Sequence, residues 1–318
     1  MARNVPHVVL TDFTQGNTAQ KEAFIQTLGK GLVDFGFVTV SSHGIAATLI
    51  EQVYQAHVRF FDLPASAKNR YDCVTGGARG YTPFGREQAK DAKVADLKEF
   101  FHVGQSLAAD HPLAQVYPAN VWPEEIPDME ILSLDLYRAM ERVAGELLQA
   151  LALYFHLPTD TFRNMIQAGD SILRSIHYPP VALGVEPAAM RAAAHEDINL
   201  ITLLIESKGQ GLQILTREGN WLDVDALQGD IVVDSGDMLS RICNGIVPAT
   251  THRVINPPGD KNESRYSMPF FVHPYPSCDL TVMEAFVSAD RPAQWPPITA
   301  GDFLTQRLRE IGLLPNPV

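Results

Sequence analysis

His195-Glu-Asp-Ile-Asn-Leu-Ile-Thr-Leu-Leu204 sets a histidine and a carboxylate two residues apart, immediately ahead of an apolar run. On a strand, residues i and i+2 project from one face, so His195 and Asp197 converge while Glu196 points away. On a helix the same pair would diverge by about 200°. A zinc helix of the HExxH kind would need histidine at the position held by Asn199. The stretch therefore reads as β structure with a metal-binding edge. His252, at the head of another strand-like run, supplies a third donor. Two imidazoles and one carboxylate on one face of an octahedral Fe(II) leave positions open for cosubstrate, water and O2.

Outward from this point the texture stays β. Short runs of strand character cover 172–178, 200–205, 212–215, 221–224, 231–233, 252–255 and 266–272. Turn residues separate them, as in Lys208-Gly-Gln-Gly211, Glu218-Gly-Asn220 and Pro257-Pro-Gly-Asp260. Before residue 170 the pattern is mostly helical. Residues 8–13 read as a short strand, and Thr18 opens a helix with Phe24, Leu28, Leu32 and Phe35 at helical spacing, ended by Gly36. A strand over 37–40 follows, then a helix with Leu49, Val53, Ala56 and Phe60 on one face. The glycine-rich stretch 76–83 reads as a loop. Over 127–155, Leu132, Leu136, Met140, Val143, Leu147, Ala150 and Tyr154 form the strongest helical stripe in the chain. A helical first half followed by many short strands predicts a mainly β fold with flanking helices, a sandwich or jelly roll buttressed from one side.

The bulk numbers exclude several classes. The chain has 318 residues, 46% hydrophobic and 19% charged, so it is globular. A net charge of −12, with no clustered Lys and Arg, argues against a nucleic-acid partner. No apolar run is long enough for a membrane span, and Met1-Ala-Arg-Asn-Val-Pro6 lacks the apolar core of a secretory signal. Cys73, Cys243 and Cys278 lie far apart, which suits a reducing compartment, so a cytoplasmic location is expected.

Arg265 and Ser267 follow His252 by thirteen and fifteen residues, again at i and i+2 of a strand. A guanidinium fork pairs bidentately with a carboxylate while a hydroxyl donates to one of its oxygens. At about 4 Å and an effective dielectric near 20, that pair contributes on the order of 4 kcal/mol before desolvation. This is enough to select an anionic ligand inside an apolar strand cavity.

These residues, with Gly211-Leu-Gln213, Asn244-Gly245, His252-Arg-Val254 and Arg265-Tyr-Ser-Met-Pro-Phe-Phe-Val272, resemble the isopenicillin-N-synthase-like branch of the 2-oxoglutarate/Fe(II) dioxygenases. Asp34-Phe-Gly-Phe37, His43-Gly-Ile45, Gly80-Tyr81 and Asp96-Leu-Lys-Glu99 resemble that family's amino-terminal half. The resemblance implies a double-stranded β-helix, a cupin-like jelly roll. It divides the chain into an N-terminal region (1–125), supporting helices (126–168), the jelly-roll core (169–275) and a C-terminal segment (276–318), all one structural unit. It makes His195, Asp197 and His252 ligands of Fe(II), and Arg265 and Ser267 the holders of a 2-oxoglutarate carboxylate. Tyr178, in Arg174-Ser-Ile-His-Tyr-Pro179, matches a tyrosine that often touches the cosubstrate. Many relatives carry Asn where this chain has Ile176, so one hydrogen bond to the cosubstrate would be missing.

The activity implied is oxidation of a small-molecule substrate with O2, coupled to decarboxylation of 2-oxoglutarate to succinate. Two other readings stay open at this point. One is an Fe(II) oxidase of the same family that uses O2 without 2-oxoglutarate; the other is a non-catalytic metal-binding jelly roll. Arg174 alternates onto the face of Ile176 and Tyr178 and could meet a substrate carboxylate. His177 is also a candidate for the cavity, and Phe270 is read as a wall residue on the Arg265 face. Lys98-Glu99 belongs to the resemblance, and a surface ion pair explains it equally well. His43, His57, His102, His111, His156 and His273 have no partner at ligand spacing. Pro296-Pro297 and Pro315-Asn-Pro317 read as a loosely held tail. Substrate choice is expected in 76–83, 181–187 and the C-terminal segment.

Overall fold

The computed structural model describes residues 5–72, 78–86, 96–180, 190–208, 211–224, 229–256, 263–310 and 314. The elements in the first half are β1 (His7–Val9), α1 (Leu10–Thr14), α2 (Thr18–Phe35), β2 (Phe37–Ser41), α3 (Ala47–Phe61), α4 (Ala65–Lys68), β3 (Gly80–Thr82), β4 (Glu99–Gly104), α5 (Met129–Tyr154) and α6 (Thr161–Ile166). The second half holds β5 (Ile172–Tyr178), β6 (Ala192–His195), β7 (Ile201–Lys208), β8 (Leu212–Leu215), β9 (Trp221–Asp223), β10 (Ile231–Ser235), α7 (Asp237–Ile242), β11 (His252–Val254), β12 (Arg265–Val272) and α8 (Ala300–Glu310).

Two sheets form the core. The larger has eight strands in the order β1-β2-β10-β7-β12-β5-β4-β3, and the smaller has four, β6-β11-β8-β9. Apart from the parallel β1–β2 pair at one edge, every pairing is antiparallel. Phe37, Ile214 and Val232 pack the small sheet onto the large one, and helices cover the large sheet's other face. This is a jelly roll flanked by helices. No helix among the described residues is long and apolar enough to cross a membrane.

Local sequence explains the helical buttress. Asn17 caps α2 reciprocally with Gln20, each side chain accepting the other residue's backbone N–H. Gly36 ends the helix at φ 68°, a left-handed conformation that glycine adopts without a Cβ penalty. Gly29 lets α2 lie against α5, because a Cβ there would sit about 2 Å from the Tyr154 ring. The apolar stripe of α5 buries Leu136, Met140, Val143 and Leu147. Tyr137 meets Phe270 of β12 edge-to-face at 4.9 Å, fixing that helix on the sheet.

Four expectations need correction. Residues 8–13 are not one strand: the strand stops at Val9 and α1 begins, since after β1 pairs with β2 the chain has no further partner. Within 76–83, Gly80–Thr82 is a strand on β4, and β4 itself escaped the reading because all six of its residues are buried and show no alternation. Residues 73–77 lie outside the described residues, as do 181–187, Pro257-Pro-Gly-Asp260 and Pro315-Asn-Pro317. Pro296-Pro297 is not loosely held: Arg241 donates to the Pro296 carbonyl, Leu280 N–H donates to the Ile298 carbonyl at 2.9 Å, and Arg307 of α8 pairs with Asp237 at 2.7 Å. Lys98 and Glu99 are buried rather than a surface pair; Lys98 bonds Asp96 at 2.8 Å and Glu99 bonds Lys68 at 2.8 Å.

Candidate active site

His195 and His252 occupy directly opposed positions of β6 and β11, with ring centroids 4.4 Å apart. Each Nδ1 donates to the carbonyl two residues earlier, His195 to Ala193 at 2.7 Å and His252 to Thr250 at 3.2 Å. That fixes both tautomers and turns both Nε2 lone pairs toward the same point. Thr250 in turn donates its hydroxyl to the Phe35 carbonyl at 2.8 Å, so the capped end of α2 anchors the strand that carries His252.

Asp197 reaches this point by another route than strand alternation. β6 ends at His195, and Asp197 lies in the turn before β7. The start of α7 clamps that turn: Asp237 N–H donates to the Asp197 carbonyl at 2.8 Å, and Gly236 N–H to Leu200 at 3.0 Å. A Cβ on Gly236 would sit 2.4 Å from the Asn199 carbonyl oxygen, so only glycine permits the approach. Thr202 donates to Asp197 Oδ2 and itself accepts from Asn199 Nδ2 at 2.8 Å. Asp197 Oδ1 then points at the histidines, 3.8 Å from His195 Nε2 and 3.9 Å from His252 Nε2.

The donor atoms of these residues all lie within 4.8 Å of one another. Two neutral imidazoles and one carboxylate of this spacing fit a divalent transition metal such as iron. His195 keeps 34% of its side chain exposed at the mouth of the site. Burial of the ring, and then the neighbouring His252, lower its imidazole to about 4 against the pull of Asp197, leaving it neutral and able to ligate. Deeper in, burial first and then the Asp197 charge raise the Asp234 carboxyl well above its ordinary value, favouring the neutral acid.

The neighbouring wall is the inner face of the large sheet. Arg265 and Ser267 of β12 stand opposite Tyr178 and Ile176 of β5, all four buried. The Arg265 guanidinium lies 5.0 Å from the Tyr178 ring centre, and its Nε and Nη1 have no hydrogen-bond partner. A buried guanidinium with two unsatisfied nitrogens is the donor set that a carboxylate ligand would complete. Arg174 shares this face, its guanidinium 4.3 Å from the Phe100 ring centre and 5.0 Å from that of Phe271. His102, set aside in the sequence, belongs here too: its Nε2 accepts from Arg174 Nε at 2.6 Å.

Phe270 and His177 face the other way. Phe270 is five residues from Arg265, an odd count, so it points to α5 and Tyr137. His177 donates to Glu99 at 2.8 Å and stacks on Tyr266 at 4.7 Å, on the helix side of the sheet. Thr202 and Asp234 went unread in the sequence. Their neighbours in the chain are apolar or small, and no motif spacing marks them.

Residues 5–125 match the family described as "non-haem dioxygenase in morphine synthesis N-terminal", and residues 169–274 match the "2OG-Fe(II) oxygenase superfamily". The chain is 30% identical over 315 residues to "2-oxoglutarate-Fe(II) type oxidoreductase hxnY" of Emericella nidulans, covering 96% of this chain and 89% of that one. It is similar to the crystal structure of a putative 2OG-Fe(II) oxygenase family protein from Caulobacter crescentus, with TM-score 0.87, 38% identity, and coverage of 96% of this chain and 99% of that one. Full-length Neurospora crassa T7H in complex with alpha-KG and thymine superposes with TM-score 0.85 at 26% identity, over 96% of each chain.

Proposed function

This chain belongs to the 2OG-Fe(II) oxygenase superfamily, and we propose that His195, Asp197 and His252 hold its iron while Arg265, Ser267 and Tyr178 hold the far carboxylate of 2-oxoglutarate. The protein is a non-haem Fe(II) dioxygenase that couples decarboxylation of 2-oxoglutarate to succinate with oxidation of a substrate. The observation that carries the site assignment is the convergence of three donors of the right type within 4.8 Å. Beside it lies the buried Arg265, with Nε and Nη1 that no group among the described residues satisfies.

Bound iron and 2-oxoglutarate would supply the oxidising power, with O2 as oxidant. The chain's residues supply position and surroundings. The backbone carbonyls of Ala193 and Thr250 hold both imidazoles in the ligating tautomer. Thr202 occupies one oxygen of Asp197, leaving the other for the metal. Arg265 gives the cosubstrate its polarity, because only a ligand with a carboxylate at that end satisfies the buried fork. The surrounding Ile176, Tyr178 and Phe100 form an apolar cluster that keeps water from the anion and strengthens each charge-assisted bond.

We infer a small-molecule prime substrate; the Neurospora neighbour holds thymine beside alpha-KG. Arg174, braced between Phe100 and Phe271, is placed to meet an anionic or hydrogen-bond-accepting group on it. Metal analysis tests the ligand assignment. His195→Ala, Asp197→Ala and His252→Ala are each expected to lose stoichiometric Fe(II) while circular dichroism stays that of the parent. Full iron occupancy in any of them would overturn the assignment.

A further inference from the structure

Arg191 is a buried arginine outside the set described above. Only 3% of it is exposed, it immediately precedes β6, and it lies four residues before His195. Its backbone N–H donates to Asn256 Oδ1 at 3.0 Å, and its Nη2 donates to the carbonyl of Glu263, two residues before Arg265. The side chain therefore reaches from the start of the small sheet to the segment that leads into β12, two residues before Arg265. Among the described residues its Nε has no hydrogen-bond partner, as Arg265 Nε and Nη1 have none. Among the described residues, no acidic side chain pairs with either guanidinium.

We propose that Arg191 is a second guanidinium for the far carboxylate of 2-oxoglutarate, sharing one buried pocket with Arg265. The inference rests on the reading of Arg265 as the carboxylate holder. Two like charges buried side by side repel, and each unsatisfied N–H adds a desolvation cost. Burial, and then the Arg265 charge, hold the Arg191 guanidinium below its ordinary value, while the Tyr178 phenol acts in the opposite sense. Arg265 and Tyr178, themselves 5.0 Å apart, are thus near enough to act on Arg191, whose Nη2 is tied to the backbone two residues before Arg265. A carboxylate there removes the repulsion and offers enough lone pairs for two guanidiniums, the Ser267 hydroxyl and the Tyr178 phenol. Among the described residues no acid fills this position, and a ligand with a negative charge at that end would.

Calorimetric titration of the Fe(II)-loaded protein, held anaerobic, tests this without turnover. The ligands are 2-oxoglutarate and 2-oxopentanoate, in which a methyl group replaces the far carboxylate. The parent is expected to prefer 2-oxoglutarate strongly. Arg191→Met is expected to weaken 2-oxoglutarate about tenfold to a hundredfold, the loss of a charge-assisted bond, and to leave 2-oxopentanoate unchanged. Arg191→Lys restores part of the preference. Arg191→Gln, which keeps a donor for the Glu263 carbonyl, shows the same loss and serves where the methionine variant does not fold. Equal losses for both ligands would make Arg191 a prop for the Glu263 carbonyl and overturn the inference, as would no loss at all. If Arg265→Met alone erodes the preference, the cosubstrate reading stands and only the role of Arg191 falls. If the parent binds the two ligands alike, both fall together.

Discussion

His252 stands directly opposite His195 in the antiparallel pairing of β11 with β6. Each ring is turned by the carbonyl two residues behind it. A slip of one residue in that pairing would send one imidazole to the far side of the small sheet. The proposed metal centre therefore depends on strand register, and register here depends on contacts remote from the three donors. Thr250, whose carbonyl holds His252, is tied to the last carbonyl of α2 through its own hydroxyl.

The carboxylate ligand depends on a side chain. Thr202 is the hydroxyl donor to Asp197 Oδ2 and the acceptor for Asn199. Thr202→Val is expected to weaken Fe(II) binding about tenfold to a hundredfold, as loss of a ligand's own hydrogen-bond partner does elsewhere. Thr202→Ser keeps the hydroxyl and should stay near the parent. Competition with a chelator measures it; a valine variant that holds iron as tightly as the parent would remove Thr202 from the account.

In the proposed site Arg265 acts on the cosubstrate and not on the metal. Arg265→Ala is expected to raise the apparent KM for 2-oxoglutarate by about a hundredfold, from loss of two charge-assisted hydrogen bonds. Iron stoichiometry should be unchanged. Succinate release at varied 2-oxoglutarate, alongside metal analysis, checks both halves, and an unaltered KM would move Arg265 to a structural role.

On the helix side of the sheet, Glu99 joins Lys68, Tyr81 and His177 in a buried network. Burial alone would raise its carboxyl, but hydrogen bonds from His177, Lys68 and Tyr81 outweigh it and hold the group below its ordinary value. A carboxyl lowered by folding stabilises the fold above its unfolded-state pKa. That contribution fades as pH falls from the ordinary carboxylate range through the lowered folded value. Glu99→Gln leaves the Lys68 ammonium buried without its partner and is expected to cost about 3 kcal/mol near neutrality. It should also flatten the acid limb of stability against pH. Denaturant unfolding at several pH values measures this, and parallel curves for parent and variant would contradict it.

The sequence singled out His195, Asp197, His252, Arg265 and Ser267, and the fold brings the three metal-donor candidates within 4.8 Å of one another. The strands of the second half were legible because they alternate or run apolar between clear turns. The reason given for Asp197 was incomplete, since a clamped turn and not strand alternation brings it to the histidines. β4 was illegible because burial on both faces erases the period-two pattern. Phe270 was placed on the Arg265 face by a miscount, since five positions along a strand lead to the opposite face. Arg191 sits before a run of three alanines, and nothing local announces that its side chain reaches the segment that leads into β12. Such long-range placements belong to packing and cannot be read from spacing.

The central claim is that iron on His195, Asp197 and His252 lies beside a pocket built for 2-oxoglutarate. Anaerobic titration of the Fe(II)-loaded protein with 2-oxoglutarate tests it most directly, through the weak visible charge-transfer band of a keto acid chelated to iron. The account predicts a band that grows and saturates in the parent, needs far more 2-oxoglutarate in Arg265→Ala, and is absent in His252→Ala. Iron demonstrably bound, with no band at any 2-oxoglutarate concentration, would contradict it.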